Sequence, residues 1–402
     1  MAENEVKEED KYQLKLRKDG KIPIISVEAD CLAEATHKAI IACHDYGARI
    51  ETPKQKPGMT LGYDADVIVK VNNPDSEPKI YSPGMYDTAE GVMQYILEVT
   101  HGIHNHWKKS PEHPERWGYT YNERFVDQLA FIFTRIKADW NEKAGQWPDG
   151  KGRPSGRDYQ FTTWRAGEDI ILEQDDPPCL QRGQLRLLLD EEGELVLNYL
   201  TDWRSRDLLK AWNENNIAQI ELMKLFRDKI SYMLGREVRL GAYIDRSSSL
   251  HLYGLYVDRD NLERQIENMK ETEHEFLTKF EKLAELVREY KNYSKKEASS
   301  KLNGISLGIE KEIKQLRGAW KKRSMSLDEY FMMAAGKDMT GLKRFIAAQM
   351  DAEAKDHGFN RPRNILEDEL GYDVDTFDYP EEWDTWPSTW DREDRSKLPT
   401  VL

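Results

Sequence analysis

Residues 175–223 read DDPPCLQRGQLRLLLDEEGELVLNYLTDWRSRDLLKAWNENNIAQIELM. Cys179 follows two prolines, each of which locks φ and lacks an N–H, so the thiol stands at a rigid chain entry. LRLLLD (185–190) and LVLNYLTDW (195–203) carry the two-residue period of strands, and the DEEGE between them predicts a hairpin turn. If that hairpin pairs, the Arg204-Ser205-Arg206 run returns to the thiol. A guanidinium near a thiol favours the thiolate, which is the nucleophilic form. NNIAQIELMKLFRDKISYML (215–234) then predicts a helix with a buried face, ending before Gly235. Each feature also has a bland reading. Cysteine is a small buried hydrophobe, the arginines suit a solvated face, and Asn215 and Asn216 suit a helix N-cap.

The surrounding chain bounds the answer. It has 402 residues, 39% hydrophobic and 33% charged, with a formal net charge of −14. That charge argues against a polyanion-binding surface, so no nucleic-acid polymer is expected as a partner. It leaves room for a small basic pocket around one phosphate. The three cysteines, Cys31, Cys43 and Cys179, form neither a disulfide framework nor a CxxC pair. A reducing, cytoplasmic setting fits. The start, MAENEVKEEDKYQ, has no apolar signal-peptide core, and no apolar run reaches membrane-spanning length. No membrane association is therefore expected.

Residues 1–11 read as disordered. YQLKL (12–16), IPIISVEA (22–29) and ADVIVKVNNP (65–74) read as strands, with a helix in CLAEATHKAIIACHDYG (31–47) stopped by Gly47. TAEGVMQYILEVTHGI (88–103) and YNERFVDQLAFIFTRIKADW (121–140) read as amphipathic helices. Residues 141–157 are a Gly/Pro/Lys-rich loop. DYQFTTWRA (158–166) reads as a strand, and VRLGAYIDRSSSLHLYGLYV (238–257) as a pair of strand-like runs. NLERQIENMKETEHEFLTKFEKLAELVREYKNYSKKE (261–297) reads as a long charged helix.

DDPPCLQRGQLRLLL, DWRSRDLLKAWNENNIAQ and LHLY (250–253), taken in order, resemble the thymidylate synthase and deoxypyrimidine nucleotide hydroxymethylase superfamily. The signature of that family runs Pro-Cys-His-x3-Gln-Phe, Arg-Ser-x-Asp, Asn-Ile-Ala and His-x-Tyr. YTYNERFVDQLAFIFTRIKAD (119–139) and SGRDYQFTTWRAGED (155–169) resemble its upstream elements. The resemblance spans about residues 12–268 and implies an α+β, thymidylate synthase-like three-layer fold with a large mixed β-sheet. A helical extension (269–360) and an acidic, Trp-rich tail (361–402) would follow it.

The resemblance implies a role for each matching residue. Cys179 matches the nucleophile that adds to C6 of a pyrimidine. Arg204 and Ser205 match phosphate contacts, and a bidentate guanidinium suits a phosphate monoester. Arg157 matches an arginine donated across a homodimer interface, with Arg153 as an alternative. Asp207 supports the base pocket and Gln184 lies near the base. Asn216 matches the reader of the uracil edge, with Asn215 competing because the gap from Asp207 is one residue long. His251 and Tyr253 match the pair on the sugar 3′-hydroxyl. Tyr119, with Tyr121 as alternative, matches the family tyrosine. Glu90, with Glu98 next, is the expected catalytic glutamate. The sequence departs from the family at Leu180, where histidine usually follows the nucleophile, and at Ser249, where an aspartate usually stands.

The implied activity is one-carbon transfer (methylation) to C5 of a pyrimidine nucleotide, dUMP to dTMP, with 5,10-methylenetetrahydrofolate or a related tetrahydropterin. A dUMP/dCMP 5-hydroxymethylase and a catalytically silent scaffold are the alternatives. Three further features carry less. His101, His104 and His106 in HGIHNHW do not share a helical face, so no metal site is expected. GQWPDGKGRPSGR lacks a Gly-Lys-Ser/Thr phosphate loop. Trp383, Trp386 and Trp390 read either as a partner-binding peptide or as a segment that packs back on its own domain.

Overall fold

The computed structural model describes residues 20–51, 60–85, 87–105, 109, 117–143, 156–171, 176–271, 324–347, 386–394 and 396. The strands are β1 (Ile24–Ala29), β2 (Ala48–Ile50), β3 (Gly62–Val71), β4 (Ile80–Tyr81), β5 (Gln160–Thr162), β6 (Leu180–Leu189), β7 (Leu195–Trp203), β8 (Arg206–Asp207), β9 (Val238–Leu252) and β10 (Ser324–Met325). Eight of them form one mixed sheet in the order β1-β3-β9-β7-β6-β5, with β2 on β3 and β8 on β9. β1 runs parallel to β3 and β7 parallel to β9, while β3 meets β9, and β6 meets β7, antiparallel. β4 and β10 make a separate ribbon.

The named helices are α1 (Leu32–Tyr46), α2 (Ala89–His101), α3 (Tyr121–Lys143), the short α4 (Ala166–Asp169), α5 (Trp212–Leu234), α6 (Gly254–Asp260) and α7 (Leu327–Ala335), and residues 262–271 and 339–347 are helical as well. α1, α3 and α5 lie against one face of the sheet; α2 packs on α3 and α5, and α7 packs on α2. The protein is therefore α+β, with a large mixed sheet beneath two tiers of helix.

Alternation builds the sheet. Leu195, Leu197, Tyr199, Thr201 and Trp203 of β7 are all buried towards the helices, and the residues between them are half-buried on the other face. That other face has no helix on it among the described residues, and it exposes Ile24, Ile68 and Leu188. Rings from four elements fill the core, with Phe133, Phe161, Tyr199 and Phe226 in contact.

The structure differs from the sequence expectation at several points. α5 begins at Trp212, not Asn215, so both asparagines lie inside the helix rather than at its cap. Ala211 occupies the cap position with no side chain to offer, which removes the usual start signal. Gly235 ends α5 as expected, at φ 62° in the left-handed region. Residues 238–252 form a single strand rather than two, and the chain turns into α6 at Gly254. Residues 12–16, and the expected long helix beyond 271, lie outside the described residues.

The described part of the tail, residues 386–394, packs back on α3 and α5. Trp390 is 1% exposed and contacts Phe133 of α3 and Phe226 of α5. Trp386 stacks on Tyr232, Lys229 pairs with Asp391, and Thr134 bonds Glu393. Trp383 lies outside the described residues. Removing a buried tryptophan leaves a cavity that costs about 3–5 kcal/mol. Trp390→Ala is therefore expected to lower the free energy of urea unfolding by about that amount. A change below about 0.5 kcal/mol, the usual range for surface substitutions, would show that the tail does not dock this way in solution.

Candidate active site

The β6–β7 hairpin brings the arginines back to the cysteine, as pairing of Leu180 with Trp203 requires. The backbone N–H of Arg204 donates to the Cys179 carbonyl at 2.8 Å. Its side chain also grips the Pro-Pro entry, with Nε donating to the Pro178 carbonyl at 3.1 Å and Nη2 to the Pro177 carbonyl at 2.5 Å. Arg204 thus holds the loop that carries the thiol. Its side chain remains 35% exposed, and Nη1 makes no hydrogen bond among the described residues.

Cys179 is half-buried, whereas Cys31 and Cys43 are buried. Burial pushes the Cys179 thiol above the ordinary cysteine value, Arg204 and Arg206 oppose that rise, and exposed Asp176 adds to it. The expectation that the guanidinium groups would dominate is therefore corrected: desolvation wins, and the resting sulfur carries its proton. The Tyr121 hydroxyl also opposes the rise. Tyr119, Tyr121, Tyr95 and Tyr253 all sense the charge of Cys179, and burial raises the phenol pKa of each. At neutral pH these four hydroxyls are proton donors.

Arg206 plays a different part from Arg204. It is 3% exposed and pairs with Asp245 on β9. Nε donates to Ser247 Oγ at 3.1 Å, Nη2 to the same oxygen at 2.9 Å, and Nη1 to Asn216 Oδ1 at 3.2 Å. The guanidinium stacks 4.1 Å above the Trp203 ring. Asp245 also accepts from Trp212 Nε1 and Thr201 Oγ1, both at 3.0 Å. Four of its five N–H donors thus have partners within the fold, and the charge itself is paired with Asp245.

The remaining expected residues divide. β8 pairs Asp207 with His251. Asp207 caps the turn through the N–H groups of Leu209 and Lys210 and accepts from Tyr256. His251 is buried, its ring stacks edge-on to Tyr253 at 4.6 Å, and burial lowers its pKa against the pull of Asp207 and Asp64. Ser205 is half-buried between Arg204 and Arg206. Asn216 is fully buried on Arg206, and Asn215 lies beside it, half-buried. Gln184 stands five residues along β6, roughly 15 Å from the thiol at about 3.3 Å per residue. Its amide donates to the Arg157 carbonyl at 2.6 Å, and Arg157 is exposed. Arg153 and His106 lie outside the described residues.

The two glutamates sit at opposite ends of α2. Glu90 is in the first turn, where Tyr330 of α7 feels its charge. Glu98 is eight residues on, about 12 Å at 1.5 Å per residue. It raises the pKa of Tyr95 and binds His104 Nδ1 at 2.5 Å. The structure thus brings Glu98, not Glu90, to the tyrosine cluster. His101 pairs with Thr100 rather than sharing a site with His104. Among the described residues no His/Cys/Asp/Glu group forms a metal set.

Sequence reasoning missed Tyr95, Trp203 and Asp64. Ser249 donates to Asp64 Oδ1 at 2.6 Å, so strand β3 supplies a carboxylate beside Ser249 on β9. The period-2 pattern of β3 offered no sign of this, because pairing with β9 decides it. Four polar atoms here are buried with no partner among the described residues: Tyr95 Oη, Trp203 Nε1, Asn216 Nδ2 and His251 Nε2. An orphaned buried polar atom costs about 1–3 kcal/mol, so such a group calls for a ligand.

No family model matches the chain, and no curated protein is similar to it in sequence. Among solved structures it is similar to thermostable thymidylate synthase A from Bacillus subtilis, at 15% identity and a TM-score of 0.39, covering 59% of this chain and 84% of that one. At that overlap the likeness fixes no chemistry. No described helix is long and apolar enough to cross a membrane.

A protonated resting thiol has a measurable signature. Alkylation of Cys179 by iodoacetamide, read by peptide mass spectrometry, is expected to be slower at pH 7 than for free cysteine. It should climb about tenfold per pH unit while the thiol stays mostly protonated. Arg204→Ala should slow it further at each pH. A rate flat between about pH 6 and 8 would mean that the sulfur is already ionised at rest.

Proposed function

We propose that the protein transfers a one-carbon unit to C5 of a pyrimidine nucleotide, with dUMP as substrate, dTMP as product and Cys179 as nucleophile. One observation supports this above the rest. A half-buried thiol lies within electrostatic reach of two guanidinium groups and four tyrosine hydroxyls, and polar atoms on Tyr95, Trp203, Asn216 and His251 are buried without a partner among the described residues. A planar ligand with a phosphate on one side and carbonyl oxygens on the other answers that set.

In this reading Arg204 Nη1 and Ser205 take the phosphate. His251, kept neutral, offers Nε2 to the sugar 3′-hydroxyl beside Tyr253, and Asn216 takes the base edge. The Cys179 sulfur gives up its proton to solvent and bonds to C6. The C5–C6 π pair moves onto C5 and the C4 oxygen as an enolate. Arg204 and Arg206 favour the thiolate at that moment, and the buried phenols supply hydrogen bonds to the developing charge. C5 then bonds to the incoming carbon and loses its proton to Glu98. Breaking the S–C6 bond releases the thiolate, which takes back a proton from solvent.

A reduced folate's pterin presents amide and amino donors, and the Asp64 carboxylate bonded to Ser249 is the acceptor that fits them. When bound, 5,10-methylenetetrahydrofolate supplies the one-carbon unit and, for a methyl product, the hydride. The open face of the sheet, carrying Ile24, Ile68 and Leu188, suits a second copy of this chain. In that homodimer the exposed Arg157 would reach the partner's phosphate site. A reducing cytoplasm would keep the thiol free.

Tritium release from C5-labelled dUMP with methylenetetrahydrofolate tests the proposal. Wild type is expected to release tritium and Cys179→Ser to abolish release. Glu98→Gln should lose about 10²–10⁴-fold, the range for a general base, while Glu90→Gln should change little. Product mass separates methyl from hydroxymethyl, which differ by one oxygen. Absence of release from wild type would leave a binding scaffold as the better account.

A further inference from the structure

We propose that His44 is a charged clasp that fastens the helix over 262–271 to α1 and loosens as the pH rises above neutrality. The clasp stands on its own residues and does not depend on the nucleotide reading of Cys179.

His44 lies in the last turn of α1, where the helix dipole favours a cation. Each nitrogen of its ring faces a carboxylate. Nδ1 is 2.8 Å from Asp45 Oδ1, and Nε2 is 2.7 Å from Glu263 Oε2. A neutral imidazole has one donor nitrogen and one acceptor nitrogen, and an ionised carboxylate only accepts. A neutral ring would therefore set lone pair against lone pair at one of the two contacts. Both contacts are hydrogen bonds only when both nitrogens carry hydrogen, so this geometry calls for the imidazolium ion.

The surroundings favour that charge state. Burial raises the Asp45 carboxyl, but His44 and Lys270 hold it below the ordinary aspartate value. Burial also raises Glu263, and His44 and Tyr63 hold it below the ordinary glutamate value. Lys270 Nζ donates to Asp45 Oδ1 at 2.6 Å, and the Tyr63 hydroxyl donates to Glu263 Oε1 at 2.8 Å. The Tyr63 ring stacks on His44 at 4.7 Å, and Arg49 lies 4.0 Å over its centre. The groups around His44 are thus Asp45 on α1, Arg49 on β2, Tyr63 on β3, and Glu263 and Lys270 on the helix over 262–271. Burial by itself would lower the pKa of His44, and the two carboxylates more than offset it, so the value is raised.

The helix over 262–271 follows α6 after Asn261, and α6 follows directly on Tyr253. Leu262, Ile266 and Met269 bury its apolar row, so packing seats the helix at any pH. The polar side carries the pH dependence. The stabilisation from charged His44 is fully present below the ordinary histidine value of about 6.5 and is lost as the pH rises through the raised folded value. The stabilisation from Asp45 and Glu263 is lost only in acid, as the pH falls through their lowered values. Burial and Glu263 push the Tyr63 hydroxyl up to about 12, so it keeps donating throughout. The clasp is therefore closed at mildly acid and neutral pH and loosens on the alkaline side.

Two measurements on the intact protein test the clasp. NMR of histidine-labelled protein follows each ring through a pH titration, and the His44 signal is the one that vanishes in His44→Gln. That ring is expected to titrate above free histidine, and Glu263→Gln should bring it back towards the free value. Hydrogen exchange read by mass spectrometry then follows the helix. After correction for the chemical exchange rate, protection of the 262–271 peptide should fall about two- to tenfold between about pH 6 and about pH 9, the effect of losing partly exposed charge pairs. Protection of β7 should not follow it. His44→Gln should show the lower protection at both pH values. A His44 ring that titrates at or below free histidine would overturn the proposal. Equal protection of 262–271 at both pH values in wild type would also overturn it, as would an undiminished fall in His44→Gln.

Discussion

The buried pair of Arg206 and Asp245 is the constraint on which the site depends. Both side chains are 1% exposed, so neither charge has water to fall back on. Taking one partner from such a pair costs about 3–5 kcal/mol, because the other is left uncompensated. The pair joins the short strand after the hairpin to the middle of β9, and Trp203, Trp212, Ser247, Thr201 and Asn216 complete its shell. Strand β7, helix α5 and strand β9 therefore meet at one guanidinium. The orientation of Asn216, the seat of Trp203 and the approach to Cys179 all follow from it.

Arg204, two residues earlier, would share a face with Arg206 in an extended chain, but the chain bends at Arg204 between β7 and β8 and separates them. One arginine turns inward to be buried, while the other stays at the surface and holds the Pro-Pro entry by its carbonyls. Their influence on the thiol is shared, yet burial outweighs both. A nucleophile kept protonated until its partner arrives is protected from solvent chemistry, and protonated tyrosine hydroxyls around it can donate hydrogen bonds to the thiolate when it forms. The rigid entry fixes where the sulfur stands, and the ligand decides when it reacts.

The hairpin was legible in the sequence because strand period, turn chemistry and an apolar inward row all agree between 180 and 203. The same agreement made the mixed α+β architecture legible. Other features were not. Arg204 and Arg206 look alike in RSRD, and only Asp245 and Ser247, about forty residues on, decide which is buried. Asn215 and Asn216 look like a helix cap, yet α5 starts at Trp212 because tertiary packing, not a capping side chain, begins it. Glu90 and Glu98 lie on one helix, and what tells them apart is that α7 covers the first turn while the tyrosines face the later one. For Trp390 the sequence left partner binding and packing back on its own domain equally open, because its partners, Phe133 and Phe226, are more than 160 residues away in sequence.

The most direct measurement is peptide mass spectrometry of the protein incubated with 5-fluoro-dUMP and methylenetetrahydrofolate. Fluorine at C5 cannot leave as a proton does, so a thiol that adds to C6 becomes trapped. The account predicts a stable adduct carrying both small molecules, attached to the peptide that contains Cys179. An unmodified Cys179, or an adduct on another residue, would contradict it.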